Sequence, residues 1–308
     1  MDFSVEVVNL TKEFGDFVAV DNITFSVKKG EIFGFLGPNG AGKSTTIRML
    51  CGILSPSSGS GMVAGYDIVN EQNKIKSSIG YMSQKFSLYG DMTVIENLEF
   101  FGSIYGLEGN SLRERIDYVL ELTQLFGRKN DRVDFLPGGI KQRLALGSAI
   151  IHDPEILFLD EPTSGVDPVM RRNFWDLIYD FSARGKTIFV TTHYLDEAEH
   201  CDRIALIIAG KIIACDLPQK LKDDLHHDVY TLHVPDFIKV FERVSQQSFI
   251  DEAAIFGSDI HLLCSRGFNL KKELSFFLKN QGITNFRIEK IAPTLEDVFV
   301  THARRLGV

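Results

Sequence analysis

Apolar and polar residues alternate through VEVVNL and VAVDNITFSV, and EIFGFL runs apolar without a break. That period of two predicts a β-rich beginning, with turns at Gly15-Asp16 and Lys29-Gly30. Residues 111–126, SLRERIDYVLELTQLF, place Leu112, Ile116, Val119, Leu120 and Leu122 near one face of a helix, with Ser111 as its cap. ILFLD and TIFVTTH are short and wholly apolar, the pattern of strands buried in a parallel sheet. RRNFWDLIYDFSARG, between them, has helical spacing and closes at Gly185, which makes a strand–helix–strand unit. RIALIIAGKIIACD reads as a closing hairpin that turns at Gly210-Lys211.

After about residue 220 the character changes. KLKDDLHHD is polar and reads as a linker or frayed helix, with His226-His227 solvated rather than metal-binding. VYTLHV, FIKVFERVSQQ, AAIFGSDIHLLC, NLKKELSFFLKNQG, ITNFRIEKI and TLEDVFVTHAR then follow as strand, helix, hairpin, helix, strand and helix. The order predicts a small α+β domain over 225–308 with a ferredoxin-like plan, after an α/β domain over 1–220.

Composition narrows the class. The 308 residues are 44% hydrophobic and 24% charged, ordinary for a globular protein with one large or two modest domains. A net charge of −8 argues against a nucleic-acid partner. MDFSVEVVNL does not resemble a signal peptide. No apolar run approaches the roughly 20 residues that span a bilayer, so the chain is expected in the cytoplasm unless a partner tethers it. Cys51, Cys201, Cys215 and Cys264 are scattered, without metal-ligand spacing, and are expected reduced.

The sharpest signal is GPNGAGKST, Gly37–Thr45, which fits G-x-x-x-x-G-K-[ST] between a strand and a helix. Gly37, Pro38, Asn39, Gly40, Ala41 and Gly42 let the backbone wrap a triphosphate with its N–H groups inward. The helix start adds its positive end. Lys43 reaches the β- and γ-phosphates, the Ser44 hydroxyl ligates Mg²⁺, and Thr45 donates to the α-phosphate. A second signal is EILFLDEPTSGVDP, an apolar strand ending in two carboxylates. Asp160 is expected to hold Mg²⁺ through water, and Glu161 to accept the proton of an attacking water. The strand TIFVTTH ends in His193, and parallel strands put their ends in one crevice, so His193 falls near the γ-phosphate. A third stretch, FLPGGIKQRLALG, is a helix whose first turn is bare: a proline, then Gly138 and Gly139.

Together these motifs resemble the ATP-binding subunit of an ABC transporter over residues 1 to about 220. The resemblance implies a P-loop ATPase fold with a mixed, mainly parallel sheet, an N-terminal antiparallel β-subdomain and a helical subdomain at about 85–150. GPNGAGKST is then the Walker A loop and ILFLDE the Walker B strand. Gln84 in YMSQKFSLYG resembles the Q-loop glutamine that touches Mg²⁺ and the attacking water. SGVDP around Asp167 resembles the D-loop, and His193 the switch histidine. Phe14 sits where the family stacks an aromatic ring on adenine.

The bare helix resembles the signature motif, which meets a partner's γ-phosphate in a head-to-tail dimer, with Pro137, Gly138, Gly139 and Gln142 acting in trans. Pro137 stands where the family usually has serine. Losing that hydroxyl removes about 1.5–3 kcal/mol of closed-state stabilisation, so turnover is expected to be slower with binding retained. The tail APTLEDVFVTHARR resembles ATPase subunits of drug, antibiotic and polysaccharide exporters, whose membrane subunits are separate chains. The resemblance therefore implies ATP and Mg²⁺, a transmembrane permease, a second ATP-binding subunit, most simply a copy of this chain, and a place on the cytoplasmic face of the membrane. KFSLYGDMTVIENLEFF follows Gln84, and its Phe86, Leu88 and Tyr89 are expected to form a groove for a short permease helix. Two alternatives stay open on sequence: a soluble ABC ATPase without a transport role, and a nucleotide sensor that barely hydrolyses.

Overall fold

Six strands make the central sheet, in the order Lys211–Asp216, Arg203–Ile208, Ile32–Leu36, Thr187–Thr192, Ile156–Asp160, Ile79–Met82. Neighbours pair in parallel except in the terminal hairpin of the first two. The computed structural model that carries them describes residues 3–85 and 87–305. Every residue of Ile32–Leu36, Ile156–Asp160 and Thr187–Thr192 is buried, as their unbroken apolar runs require. The register sets Leu36 beside Thr192 and Asp160 beside Thr191. The carboxyl ends of three strands therefore line one edge.

A second, antiparallel sheet runs Phe17–Lys28, Phe3–Phe14, Ser58–Val63, Tyr66–Asp67. Phenylalanines bind it to the first. Phe25 stacks on Phe33 with ring centroids 5.5 Å apart, and lies 6.0 Å from Phe189. Phe189 in turn lies within 5.5 Å of Phe33, Phe35 and Phe158. Such ring pairs add stabilisation beyond the apolar area they bury. Helix Pro168–Ala183 packs on strand Thr187–Thr192 and buries Phe174, Trp175, Ile178 and Phe181.

Between strands Ile79–Met82 and Ile156–Asp160, which are neighbours in the sheet, the chain inserts helices Val94–Ile104, Gly109–Leu122 and Gly138–Ile150. The second of these begins earlier than the sequence predicts. Its N-cap is Glu108, and Ser111 does not cap it but turns its hydroxyl back to the Glu108 carbonyl, 2.7 Å away. The closing hairpin also turns one residue early, at Ala209-Gly210. Both residues have positive φ, 47° and 79°, as a two-residue type I′ turn requires.

The chain divides into two units between Leu217 and Pro218. KLKDDLHHD is not a linker: helix Pro218–Asp223 and strand His227–His233 occupy it, anchored by buried Leu221 and Leu225. The second unit has one antiparallel sheet, Glu252–Phe256, Asp259–Ser265, His227–His233, Arg287–Ile291. Numbered by chain order that is 2-3-1-4, and with helices Phe237–Val244 and Leu270–Asn280 it is the ferredoxin-like plan expected from sequence. Among the described residues no helix is long and apolar enough to cross a membrane.

His152, in the first unit, stacks on Tyr105 with centroids 3.5 Å apart, and its Nε2 lies 3.0 Å from the Ile79 carbonyl oxygen. Burial, only partly opposed by that carbonyl, pushes its pKa down from 6.5 to about 4. The unfolded chain thus takes up the proton first as pH falls. The stability His152 contributes is whole above pH 6.5 and is lost between 6.5 and about 4. The loss should approach about 3 kcal/mol at the acid end. Denaturant unfolding across that window should show this component in the wild type and lack it in His152→Phe; identical pH profiles would exclude it.

Candidate active site

The loop Gly37 to Gly42 joins strand Ile32–Leu36 to helix Lys43–Leu50. Two of its glycines cannot be replaced without a backbone shift. A Cβ on Gly37 would lie 2.2 Å from the Ile207 carbonyl oxygen. One on Gly42, whose φ is 104°, would lie 2.5 Å from that of Ala19. Pro38, Asn39 and Gly40 are exposed, whereas Ala41 is buried and its amide donates to the Pro38 carbonyl at 3.2 Å. The helix starts at Gly42 with no capping side chain. Its first amides, at the Ser44 and Thr45 turn, are thus free of side-chain competition for an anion. Lys43 is 4% exposed, and its ammonium donates to the carbonyls of Gly37 at 2.7 Å and Pro38 at 3.0 Å.

Asp160 ends strand Ile156–Asp160, one strand further along the sheet, and Glu161 follows it; both are buried. Glu161 collects three groups from three segments. Lys43 Nζ lies 3.1 Å from Oε1; Gln84 Nε2 donates to Oε2 at 3.0 Å; His193 Nδ1 lies 3.3 Å from Oε2. Glu161 itself is left-handed, with φ 47°, a conformation unusual for a residue with a side chain and typical of strained functional positions. The Thr191 hydroxyl sets this geometry: it accepts from the Glu161 amide at 2.9 Å and donates to Asp160 Oδ1 at 2.7 Å.

The Ser44 hydroxyl donates to the same Asp160 oxygen at 3.0 Å. Burial pushes the Asp160 carboxyl above its ordinary value, against the pull of Thr191 and Ser44. A buried carboxylate met mainly by hydroxyls, beside a second carboxylate, fits a hard divalent cation. Among the described residues no three His, Cys, Asp or Glu side chains gather to hold an ion by themselves. The donor set therefore suits a cation whose other ligands are substrate phosphates and water, as Mg²⁺ prefers.

The remaining predicted residues lie as follows. Asp167 caps helix Pro168–Ala183, accepting from the amides of Val169 at 3.1 Å and Met170 at 3.0 Å. Pro137 is the N-cap of helix Gly138–Ile150, and Pro137 and Gly138 are exposed. Gln142, one turn on from Gly138, is 1% exposed, and among the described residues its Nε2 has no hydrogen-bond partner. Phe14 is half exposed, with the Lys12 ammonium 5.1 Å from its ring centroid. Phe86 lies outside the described residues. Leu88 lines a cleft of about 420 Å³ with Tyr81, Phe101 and Tyr105, and Tyr89 is exposed with its ring edge against Phe100.

Sequence reasoning missed Asn97. It is fully buried and holds both backbone groups of Tyr89, accepting from its N–H at 2.9 Å and donating to its carbonyl at 3.0 Å. A lone amide inside VIENLEFF was the available sign, since buried polar groups are kept where they are bonded.

Known proteins share this arrangement. The ABC transporter family pattern matches residues 20–164. The chain is 52% identical over 224 residues to the probable multidrug ABC transporter ATP-binding protein YbhF of Escherichia coli, covering 73% of this chain and 39% of that protein. It is 35% identical over 298 residues to Nod factor export ATP-binding protein I of Burkholderia lata, covering 96% of this chain and 95% of that one. Among solved structures, the dimeric ATP-binding cassette MJ0796 in a post-hydrolysis state with ADP and Pi matches at TM-score 0.64 and 26% identity, over 69% of this chain and 98% of that one. By the family pattern it matches and the relative it matches along nearly its whole length, the chain belongs to the ABC transporter family, as an ATP-binding subunit.

Proposed function

We propose that this chain hydrolyses ATP at the Glu161 site and drives export through a separate transmembrane subunit. The carrying observation is the convergence of Lys43, Gln84 and His193 on one buried carboxylate beside an uncapped helix start. In this reading the amides after Gly42 and the Lys43 ammonium bind the phosphates, and Phe14 stacks on the base. Ser44, Asp160 and Gln84 hold Mg²⁺, which when bound offsets phosphate charge. Lys43 then turns from Glu161 toward the substrate. Glu161 Oε2, held by Gln84 and His193, accepts the proton of the attacking water. His193 steadies the charge that develops.

The second half of the site comes from another subunit, most simply a second copy. A methyl group on Gly138 would meet no atom of its own protomer within 4 Å. Glycine inside a helix costs about 1 kcal/mol against alanine, and nothing within this protomer requires it. A phosphate approaching from outside does. Asp167, at the start of an exposed turn, faces the same junction in this reading. The exporter assignment follows the multidrug and Nod factor export proteins named above. A groove built from Leu88 and Tyr89 takes the permease and holds the subunit at the cytoplasmic face of the membrane.

Glu161→Gln should lower ATP turnover by about 10²-fold or more while ATP still binds. Phosphate release and equilibrium nucleotide binding measure the two; turnover within threefold of wild type would overturn the role of Glu161. Pro137→Ser restores a hydroxyl at the bare helix start and should raise turnover, with a tighter ATP-bound dimer by analytical ultracentrifugation. Unchanged rate and unchanged dimerisation would remove that hydroxyl from the account.

A further inference from the structure

Behind the Glu161 cluster lies a second buried carboxylate with no assigned task. Glu197, 1% exposed, sits on the short helix Leu195–Ala198 that follows His193. Its two oxygens hold two different loops. The Thr163 hydroxyl donates to Oε1, and the Thr192 hydroxyl to Oε2 at 2.7 Å. Thr163 is two residues beyond Glu161, and Thr192 immediately precedes His193. Both threonines are 1% exposed.

The charge is balanced from a third segment. Arg171, on the helix that Asp167 caps, brings Nε to 3.3 Å from Glu197 Oε1 and Nη1 to 3.2 Å from Asp196 Oδ2. The Arg171 guanidinium also covers the Tyr194 ring at 4.2 Å, and that ring packs on His193 with centroids 4.1 Å apart. A carboxylate removed from water is retained only where its partners are fixed. Here those partners are the residues flanking Glu161 and His193 and the helix behind Asp167.

We propose that Glu197 is a positioning residue for hydrolysis: by bridging Thr163 and Thr192, with Arg171 as counter-ion, it sets the distance between Glu161 and His193 and ties both to the Asp167 turn. Movement of that turn when two subunits meet is thereby passed to the Glu161–His193 pair without contact to nucleotide. Phosphate binding depends on the loop before helix Lys43–Leu50, whose link to the bridge is the backbone bond from the Gly37 amide to the Thr192 carbonyl at 3.3 Å rather than the Thr192 hydroxyl that Glu197 holds, so the main effect falls on turnover and not on affinity. The inference rests on the reading of Glu161 and His193 given above.

The test uses the full chain and compares Glu197→Gln, Thr163→Val and Thr163→Ser with wild type and with Glu161→Gln. Glu197→Gln and Thr163→Val should each reduce kcat about tenfold to hundredfold, the scale of a misplaced catalytic group. The Kd for ATP should stay within about twofold, and Thr163→Ser, which keeps the hydroxyl, should restore most of the rate. The double variant Thr163→Val with Glu197→Gln should be little worse than the poorer single one, because both break one bridge. Hydrolysis abolished by Glu161→Gln but unaffected by Thr163→Val and Glu197→Gln would overturn this inference alone. So would a parallel loss of affinity and rate that Thr163→Ser does not reverse. Hydrolysis indifferent to Glu161→Gln would overturn the reading of the site and this inference with it.

Discussion

Taking the Glu161 carboxylate out of water carries a penalty of several kcal/mol unless charge and hydrogen bonds replace the solvent. Lys43 supplies an opposite charge 3.1 Å away, and Gln84 and His193 supply further contacts. These three residues come from the phosphate loop, from the loop after strand Ile79–Met82 and from the end of strand Thr187–Thr192. They meet because parallel pairing brings the strand ends level. A one-residue slip in that register would turn Asp160 and Thr191 to the opposite face and dismantle the cluster. The buried apolar strands thus exist at their exact lengths as much for this meeting point as for the core.

The same cluster explains how a phosphate loop can report to a distant surface. Gln84 hydrogen-bonds Glu161, and a few residues later Asn97 clamps the backbone of Tyr89 at both its N–H and its carbonyl. On the other side, Thr192 and Thr163 join the His193 and Asp167 loops through Glu197. Each route is made of hydrogen bonds with discrete partners, buried in the second and part-buried in the first.

Much of this was legible in the chain because the groups that matter lie close in sequence. Gly37 to Thr45 must surround a phosphate once a strand precedes it and a helix follows, and the Asp160-Glu161 pair must end its strand. The alternation of period two and the apolar runs located the sheets, and the order of elements gave the ferredoxin-like plan of the second unit. What the chain hid depends on three-dimensional packing. The left-handed backbone of Glu161 is imposed by Thr191, some thirty residues on. Gln142 reads as part of the bare helix turn, yet packing leaves it almost wholly buried. Ser111 had the chemistry of a cap but found a closer carbonyl. Polar KLKDDLHHD concealed Leu221 and Leu225, enough to anchor a helix.

The phenylalanine bridge between the two sheets has a consequence for synthesis. Phe25 packs on Phe33 and Phe35, which follow it closely in the chain, and on Phe189, which follows much later. Until Phe189 is made, the Phe25 ring has Phe33 and Phe35 beside it but lacks its long-range partner, and such closure is slow. The aromatic seam between the two sheets is thus complete only when the strand bearing Phe189 docks, late in the order of synthesis relative to the hairpin that it closes on.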